Sequence, residues 1–166
     1  MKNSLLMNFS VDKENVRILV KKEFAAPVVL VWRAWTDSTM LDQWWGPKPW
    51  RAKTKMMDFR EGGYWHYAMM GPDGEVLWGR ADYLSITVEK NFAGRDSFCD
   101  EEGTINMEYP QSQWNTDFSS TSDTTIVQIE TTFDSLESLE KNLEMGFKEG
   151  FTGSMENLDR LLREQG

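Results

Sequence analysis

Alternating apolar and polar residues near the start of the chain predict a β-strand. In VRILVKKEF, residues 16–24, the apolar residues Val16, Ile18 and Val20 occupy alternate positions, and charged residues stand between and after them. A period of two is typical of a strand with one buried face. We therefore expect this segment to be the first strand, preceded by a polar lead-in over residues 1–14.

Two short helices are predicted directly after this strand. Pro27 suits the first turn of a helix, and apolar residues then recur at helical spacing. Ser38 or Thr39 is expected to cap the second helix. The glycine-proline pair at positions 46–47 ends it.

Most of the chain from there to residue 133 has the pattern of an antiparallel meander. Strand-like runs are separated by REGG and GPDGE, whose Gly, Pro and Asp residues are typical of turns. The predicted strands cover residues 52–59, 64–70, 75–86, 87–92, 103–108, 113–119 and 124–133.

From residue 134 the apolar period changes from two to about 3.6, which predicts a long C-terminal helix. Gly146, Gly150 and Gly153 lie within it, and glycine disfavours a helix interior by up to about 1 kcal/mol relative to alanine. A break near Met145 is therefore expected. The apolar stripe consists of Leu136, Leu139, Leu143, Phe147, Phe151, Met155, Leu158 and Leu162.

This order of elements predicts one α+β domain over residues 15–166, in which a curved antiparallel sheet wraps around the C-terminal helix. The length of 166 residues suits a single domain. The net charge of −9 disfavours nucleic acid as a partner. Cys99 is the only cysteine, so no internal disulfide forms, and no apolar run is long enough for a signal peptide or a membrane span. We therefore expect a cytoplasmic protein with no membrane partner.

A set of short motifs in the chain resembles one known family. Its members are Ala26-Pro27, Val31-Trp32, Ala34-Trp35-Thr36, Trp44-Trp45-Gly46-Pro47, Asp58 with Gly62-Gly63, Gly79, Gly146-Phe147, Glu149-Gly150-Phe151 and Leu158-Asp159. Together they resemble the activator of heat-shock protein 90 ATPase homologue-like family of the START-like (SRPBCC) superfamily. The resemblance implies the helix-grip fold, shared with the major birch pollen allergen and polyketide cyclases, and a deep apolar pocket rather than a defined reaction. The chain looks more like the stand-alone bacterial branch than the eukaryotic co-chaperones, which carry a further N-terminal domain.

Few residues of the chain are suited to catalysis or metal binding. His66 is the only histidine, and it alternates with Trp65 and Tyr67, so it is expected to face solvent if those two face the interior. One histidine and one cysteine at unrelated positions give no metal-ligand cluster, and glycine-rich phosphate loops are absent. No catalytic residue, metal site or cofactor is predicted.

The acidic segment DSFCDEEG, residues 96–103, has two interpretations. In the first, Asp96 or Asp100 lies at the mouth of a pocket and acts as an acid or as a hydrogen-bond acceptor. In the second, the segment is a solvated loop that Phe98 anchors to the core. The sequence favours the second, because runs of charge usually belong to solvated surfaces.

Large aromatic and methionine side chains dominate the positions predicted to face inward. They suit a filled core as well as an adaptable pocket, and the pattern by itself favours neither. The resemblance favours the pocket. Of Trp44 and Trp45, one is expected to pack beneath the helix pair and the other to border the pocket with Trp50. The predicted ligand-binding residues are Trp45, Trp50, Trp65, Tyr67, Met69, Trp78, Trp114, Phe118, Phe147, Phe151 and Met155.

Three functions from different classes remain open at this point. The first is binding of a small hydrophobic or aromatic ligand between the sheet and the C-terminal helix, with no specific reaction. The second is a cyclase or aromatase acting on a polyketide-like substrate, for which Tyr67, Asp96 and Glu108 are the candidate groups. The third, which the resemblance implies, is a stress-related protein that contacts a chaperone. We expect a monomer or a weak dimer.

Overall fold

The computed structural model describes residues 5–165, which form one eight-stranded antiparallel sheet and four helices. The sheet order is β1-β2-β8-β7-β6-β5-β4-β3. The α+β fold predicted from the sequence is confirmed, with the sheet curved around the C-terminal helix. In chain order the elements are β1 (Met7–Asp12), β2 (Arg17–Phe24), α1 (Val28–Thr36), α2 (Ser38–Trp44), β3 (Arg51–Met57), β4 (Tyr64–Met70), β5 (Val76–Thr87), β6 (Asn91–Cys99), β7 (Ser112–Ser120), β8 (Thr125–Phe133), α3 (Leu136–Glu144) and α4 (Phe147–Gln165).

The N-terminal segment contains a strand that the sequence did not predict. Residues 7–12 form β1 and pair antiparallel with β2 along their whole length. Met7 and Phe9 pack against the hydrophobic core, so the interpretation of this stretch as a polar lead-in is wrong. The polar residues of β1 face outward on an edge strand, and because the strand is short they obscure the alternation of its apolar residues. The first four residues of the predicted lead-in lie outside the described part of the chain.

The two short predicted helices are present, although they follow the second strand rather than the first. Asp37 joins them, and its carboxylate accepts a hydrogen bond from the Thr39 backbone N–H at 2.9 Å. The cap therefore lies one residue before the predicted Ser38. The indole N–H of Trp44 donates to the Ala34 carbonyl at 2.8 Å, which locks the two helices together.

Two predicted strand segments differ in the structure. Residues 103–108 form a loop apart from a single bridge between Cys99 and Ile105. Asp100 organises this loop by accepting two backbone hydrogen bonds, which compete with strand pairing. The segment 87–92 is split by a turn, because β5 ends and β6 begins within it.

The predicted break in the C-terminal helix is confirmed. Helix α3 ends at Glu144 and α4 begins at Phe147. Between them Gly146 has a φ of 92°, a left-handed conformation that glycine adopts without a Cβ clash. The break lets α4 leave the direction of α3 and bring Leu158 and Leu162 into the core.

The turn at residues 46–47 is fixed to α4 by small and polar residues. The backbone N–H of Gly46 donates to the Ser154 hydroxyl at 3.0 Å, and the Asn157 side chain donates to the Gly46 carbonyl at 2.8 Å. A Cβ added at Gly153 would lie 2.9 Å from the ring of the proline in this turn. Glycine at this helix position therefore permits the close contact that positions α2 over the sheet.

Candidate functional site

A cavity lies between the concave face of the sheet and helices α1, α2 and α4. Its volume is about 110 Å³, which is of the order of cavities that hold one aromatic ring. Most of its wall is apolar and aromatic. The lining residues are Trp35, Leu41, Trp45, Trp65, Ala81, Tyr83, Phe92, Asp96, Ser112, Trp114, Thr116, Ile129, Thr131, Phe147 and Phe151.

A second cavity, of about 220 Å³, continues the first towards the turn between β4 and β5. Asp96, Ser112 and Phe147 border both cavities and therefore lie where the two meet. The predicted residues Tyr67 and Met69 line only the second one. The two spaces together form an elongated site.

Glycines opposite large rings make room for the walls of this site. Tyr67 pairs with Gly79, and Trp114 pairs with Gly94. A Cβ at Gly79 would lie 3.1 Å from the Tyr67 hydroxyl oxygen, and one at Gly94 would lie 2.6 Å from the Trp114 ring. Directly paired residues share one face of the sheet. The missing side chains thus let each ring lie flat across the neighbouring strand.

The aromatic side chains of the wall contact one another across elements. The rings of Trp45 and Trp65 meet edge to face with centroids 5.7 Å apart, and Trp65 stacks on Tyr67 at 4.0 Å. On α4, Phe147 and Phe151 stack at 5.6 Å. Such pairs stabilise by about 0.5–1.5 kcal/mol beyond the area that they bury. The wall is therefore held in place by its own contacts as well as by the strands.

Trp78 borders the second cavity, but its ring does not have the predicted inward orientation. It pairs with Ala68 on β4, so its ring lies on the convex face, where its centroid is 5.1 Å from that of His66. Lys55 Nζ lies 5.7 Å from the centroid of the same ring. The sequence prediction failed because the inward positions on either side of Arg80 hold the small residues Gly79 and Ala81, and the largest side chain of the strand points the other way.

His66 lies on the face opposite to Trp65, as predicted, but it is not exposed to solvent. Only 3% of its surface is accessible, and its Nε2 is 3.0 Å from the Asp100 carbonyl oxygen. The loop after β6 covers it, and the guanidinium of Arg80 donates to the Gly103 carbonyl of that loop at 2.7 Å. The histidine therefore anchors a loop on the convex face, away from both cavities.

Three of the predicted ligand-binding residues line neither cavity. Trp50 lies against Gly71 at the turn between β4 and β5. Phe118 and Met155 belong to the core, with 7% and 1% of their surfaces accessible. Of the tryptophan pair, Trp44 is the buried one between the helices, and its neighbour reaches the cavity. The predicted residues that the structure brings to the two cavities with inward side chains are Trp45, Trp65, Tyr67, Met69, Trp114, Phe147 and Phe151.

Asp96 is the one carboxylate in the walls of the two cavities described here. It belongs to β6 rather than to an acidic loop, so the interpretation favoured from the sequence is wrong for this residue. Its Oδ1 accepts a hydrogen bond from Trp114 Nε1 at 2.7 Å. Burial is the main reason why the pKa of the Asp96 carboxyl is raised to about 7; the hydrogen bond from Trp114 lowers this pKa in part, and the negative charge of Asp82 raises it.

The strand alternation explains why sequence reasoning missed this placement. In β6, Asp96 and Phe98 face inward and Ser97 faces outward. The acidic residues 100–102 follow in an exposed turn, where the loop interpretation holds. The continuous acidic appearance of the segment hid the boundary between strand and turn.

Of the three groups considered for proton transfer, Tyr67 and Asp96 lie near each other and Glu108 lies apart. Tyr67 lies near Asp96, and burial together with the Asp96 charge raises the pKa of Tyr67 far above its ordinary value. Burial and Asp96 raise the pKa of Tyr83 in the same way. Both phenols therefore keep their protons at neutral pH and serve only as neutral hydrogen-bonding groups. Glu108 is exposed on a turn and borders neither cavity.

Several wall residues were not predicted from the sequence. Trp35 was assigned to a helix but not to the site, and its indole N–H has no hydrogen-bond partner within residues 5–165. Thr131 alternates with Ile129 on β8, so the same pattern that predicted the strand also contained the signal for its inward side chain. For Ser112, at the start of β7, the sequence carries no comparable signal.

Two classes of site are not observed in the described part of the chain. Within residues 5–165, no three or more His, Cys, Asp or Glu side chains form a group that could hold a metal ion. In the same range, every helix is too short or too polar to cross a membrane.

Comparison with known proteins identifies a matching family and close structural relatives. The family model described as "Activator of Hsp90 ATPase homolog 1-like protein" matches residues 25–163. A crystal structure of a Mycobacterium smegmatis protein is 30% identical, covers 96% of this chain and 97% of its own, and superposes with a TM-score of 0.87. A solution structure of an Arthrobacter aurescens protein is 32% identical, covers 95% and 91%, and has a TM-score of 0.89.

A more distant structure supports the fold alone. The AHSA1 protein from Silicibacter pomeroyi is 17% identical, covers 90% of this chain and 99% of its own, and has a TM-score of 0.70. No curated protein sequence matches the chain.

Proposed function

The chain belongs to the Activator of Hsp90 ATPase homolog 1-like family, and we propose that it binds a small hydrophobic or aromatic molecule between its sheet and its C-terminal helix. Members of this START-like fold family typically bind hydrophobic ligands. The observation that carries the proposal is the pair of adjoining cavities, about 110 and 220 Å³ in volume, with a largely aromatic wall.

A filled core would not leave this space. Protein interiors are close-packed, and voids larger than a water molecule are few in one domain. Here Gly79 and Gly94 leave room for the rings of Tyr67 and Trp114, which line the cavities, and rings contact each other along the wall. Apolar concave sites with a small number of polar groups are typical of ligand pockets. These features support a binding site over simple core packing.

Blocking the cavity tests the proposal. Ala81 lines the first cavity, so Ala81→Phe places a ring in that space. We expect wild-type protein to bind 2-naphthylmethanol with a change in tryptophan fluorescence, and Ala81→Phe to weaken that binding by about tenfold or more, which corresponds to about 1.4 kcal/mol. The readout is a fluorescence titration, supported by native mass spectrometry of protein purified gently from its own cells.

A matched control uses the other face of the sheet. Ala93 lies on β6 and pairs with Asn115 on the convex side. Ala93→Phe introduces the same ring away from the cavities and is expected to bind 2-naphthylmethanol like wild type. Equal binding by wild type and Ala81→Phe would contradict the proposed site.

A second candidate function is supported by the carboxyl group in the cavity wall. Asp96 has a pKa of about 7 and lies near Tyr67, and a group that titrates near neutral pH is suited to proton transfer. This arrangement favours a cyclase-type or aromatase-type reaction on a polyketide-like substrate as the alternative. Turnover on a panel of such substrates should fall strongly in Asp96→Asn and in Tyr67→Phe. Rates equal to those of wild type would argue against an enzyme.

A further inference from the structure

Asp96 lies where the two cavities meet, at the centre of the proposed site. It lines both cavities, and only its Oδ1 is engaged, by Trp114 Nε1 at 2.7 Å. Its Oδ2 accepts no hydrogen bond from any group in residues 5–165. A carboxylate accepts several hydrogen bonds. This oxygen therefore has its capacity available for a ligand.

No positive charge among the described residues lines either cavity. The titratable groups that act on Asp96 or respond to it are Tyr67 and Tyr83, whose pKa values are raised, and the carboxyl of Asp82. Arg80 is paired with Asp82 on the convex face. Helices α3 and α4 contribute only uncharged residues to the walls. An ionised Asp96 thus lacks a counter-charge from the protein, and a buried charge is costly when it is unpaired.

The surroundings of Asp96 favour a cation over an anion. The rings of Trp65, Trp114 and Phe147 lie in the same walls, and ammonium groups are attracted to the faces of such rings. The chain as a whole carries a charge of −9, which attracts cations and repels anions. Fatty acids and phosphate esters would bring a negative charge next to Asp96. The polar part of a ligand is therefore either positive or neutral.

We propose that the ligand is an amine, whose ammonium group pairs with the Asp96 carboxylate and whose apolar body lies against the aromatic walls. This inference rests on the binding function proposed above and names the class of its ligand. A neutral ligand would gain one ordinary hydrogen bond at Asp96. An ammonium group gains a charge-assisted bond, which is about twice as strong, and it also compensates the buried negative charge.

Two probes that differ only in their polar group test the proposal on the full chain. These are 2-naphthylmethylamine, which is cationic at pH 8, and 2-naphthylmethanol, which is neutral. Isothermal titration calorimetry at pH 8 should show the amine binding about tenfold more tightly than the alcohol. Ala81→Phe should weaken both, because both naphthyl rings need the same cavity. Binding of the alcohol that equals or exceeds binding of the amine would overturn the proposal.

The Asp96→Asn variant separates the charge from the shape of the site. Its amide oxygen can still accept the hydrogen bond of Trp114, so the wall is retained, and circular dichroism checks that the fold is unchanged. We expect the preference for the amine to disappear in this variant, because the charge-assisted bond is lost and both probes then gain at most one ordinary hydrogen bond at this position. A preference for the amine that persists in Asp96→Asn would place the ammonium group elsewhere and overturn the assignment.

The dependence of binding on pH has opposite signs for the two kinds of ligand. The pKa of Asp96 is about 7, so the carboxylate that binds an ammonium group becomes populated as pH rises from 5.5 to 8, and the affinity for the amine should rise over that range. A neutral ligand that needs the protonated Asp96 carboxyl would bind less tightly as pH rises over the same range. If the alcohol binds and the amine shows no preference, the binding function stands and the amine proposal fails. If neither probe binds, both proposals fail.

Discussion

The convex and concave faces of the central strands carry similar side chains, but the hydrogen bonding of their polar groups differs. On the convex face, His66 contacts the Asp100 carbonyl, and Arg80 pairs with Asp82 and bonds to the loop after β6. On the concave face, Asp96 uses one oxygen and leaves the other without a partner in the described chain. Both faces combine aromatic rings with a titratable group. The difference lies in whether the polar group is satisfied by the protein itself.

This difference decides which titratable group has a role beyond the fold. A buried polar group that is hydrogen-bonded stabilises the structure, as the contact of His66 Nε2 with the Asp100 carbonyl does for the loop that covers it. A buried carboxyl with unused capacity in an apolar cavity destabilises the protein when it ionises. Retaining Asp96 at that position is therefore costly for stability, and groups of this kind cluster at functional sites.

The largest effect is expected for the stability of the concave side as a function of pH. Burial raises the pKa of Asp96 from an ordinary value of 3.8 to about 7 in the folded protein. Ionisation therefore opposes folding, and the stability associated with the protonated acid is lost as pH rises from about 4 to about 7. Asp96→Asn removes this loss. Its free energy of unfolding should exceed that of wild type by up to about 4 kcal/mol at pH 8 and by much less at pH 4.

Urea unfolding of both proteins between pH 4 and pH 8 measures this difference. A control substitution of an exposed carboxylate, Glu108→Gln, is expected to change the unfolding free energy by less than about 0.5 kcal/mol at any pH in the range. A stability difference between wild type and Asp96→Asn that does not grow with pH would mean that the carboxyl is well solvated in the cavity.

The convex face should respond in the opposite way. His66→Ala removes the hydrogen bond to the Asp100 carbonyl and the contact with the Trp78 ring. We expect it to lower the free energy of unfolding by about 2 kcal/mol and to leave binding of 2-naphthylmethanol unchanged. Thermal unfolding and the fluorescence titration provide the two readouts. A loss of binding with intact stability would reverse the roles assigned to the two faces.

The order of elements was predictable because apolar periodicity reports it directly. The period of two marked the strands, the change to a helical period marked the C-terminal helix, and Gly146 marked its break. The lead-in strand was missed because its short alternation contains few apolar residues. Sequence patterns within one strand were sufficient for these features, and the family resemblance supplied the expectation of a pocket.

The site was less predictable because it depends on the register between strands. Trp78 and Asp96 were both misassigned: Trp78 was placed on the wrong face of its strand, and Asp96 was placed in a loop although it belongs to β6. Which residues of a strand face inward depends on where the preceding turn ends. A β-bulge, such as the one between Tyr83 and Ser85, shifts the alternation again. Such shifts are not visible in the sequence of one strand. The chaperone contact and the monomeric or weakly dimeric state that we expected remain predictions.

The smallest expected effect compares two tryptophans on opposite faces. Trp45 lines the first cavity and contacts Trp65, whereas Trp78 lies on the convex face beside His66. Trp45→Phe should weaken binding of 2-naphthylmethanol by about threefold, or about 0.6 kcal/mol, because it trims one wall while keeping an aromatic ring.

Trp78→Phe makes the same chemical change and should leave the affinity as in wild type, because the ring that it alters lies on the convex face beside His66. Each variant has lost one indole, so its fluorescence titration is referred to the fluorescence of the same variant measured without probe. If Trp78→Phe weakens binding as much as Trp45→Phe does, the effect travels through the sheet. The two faces would then be coupled, and the satisfied groups of the convex side would have to be counted as part of the binding site.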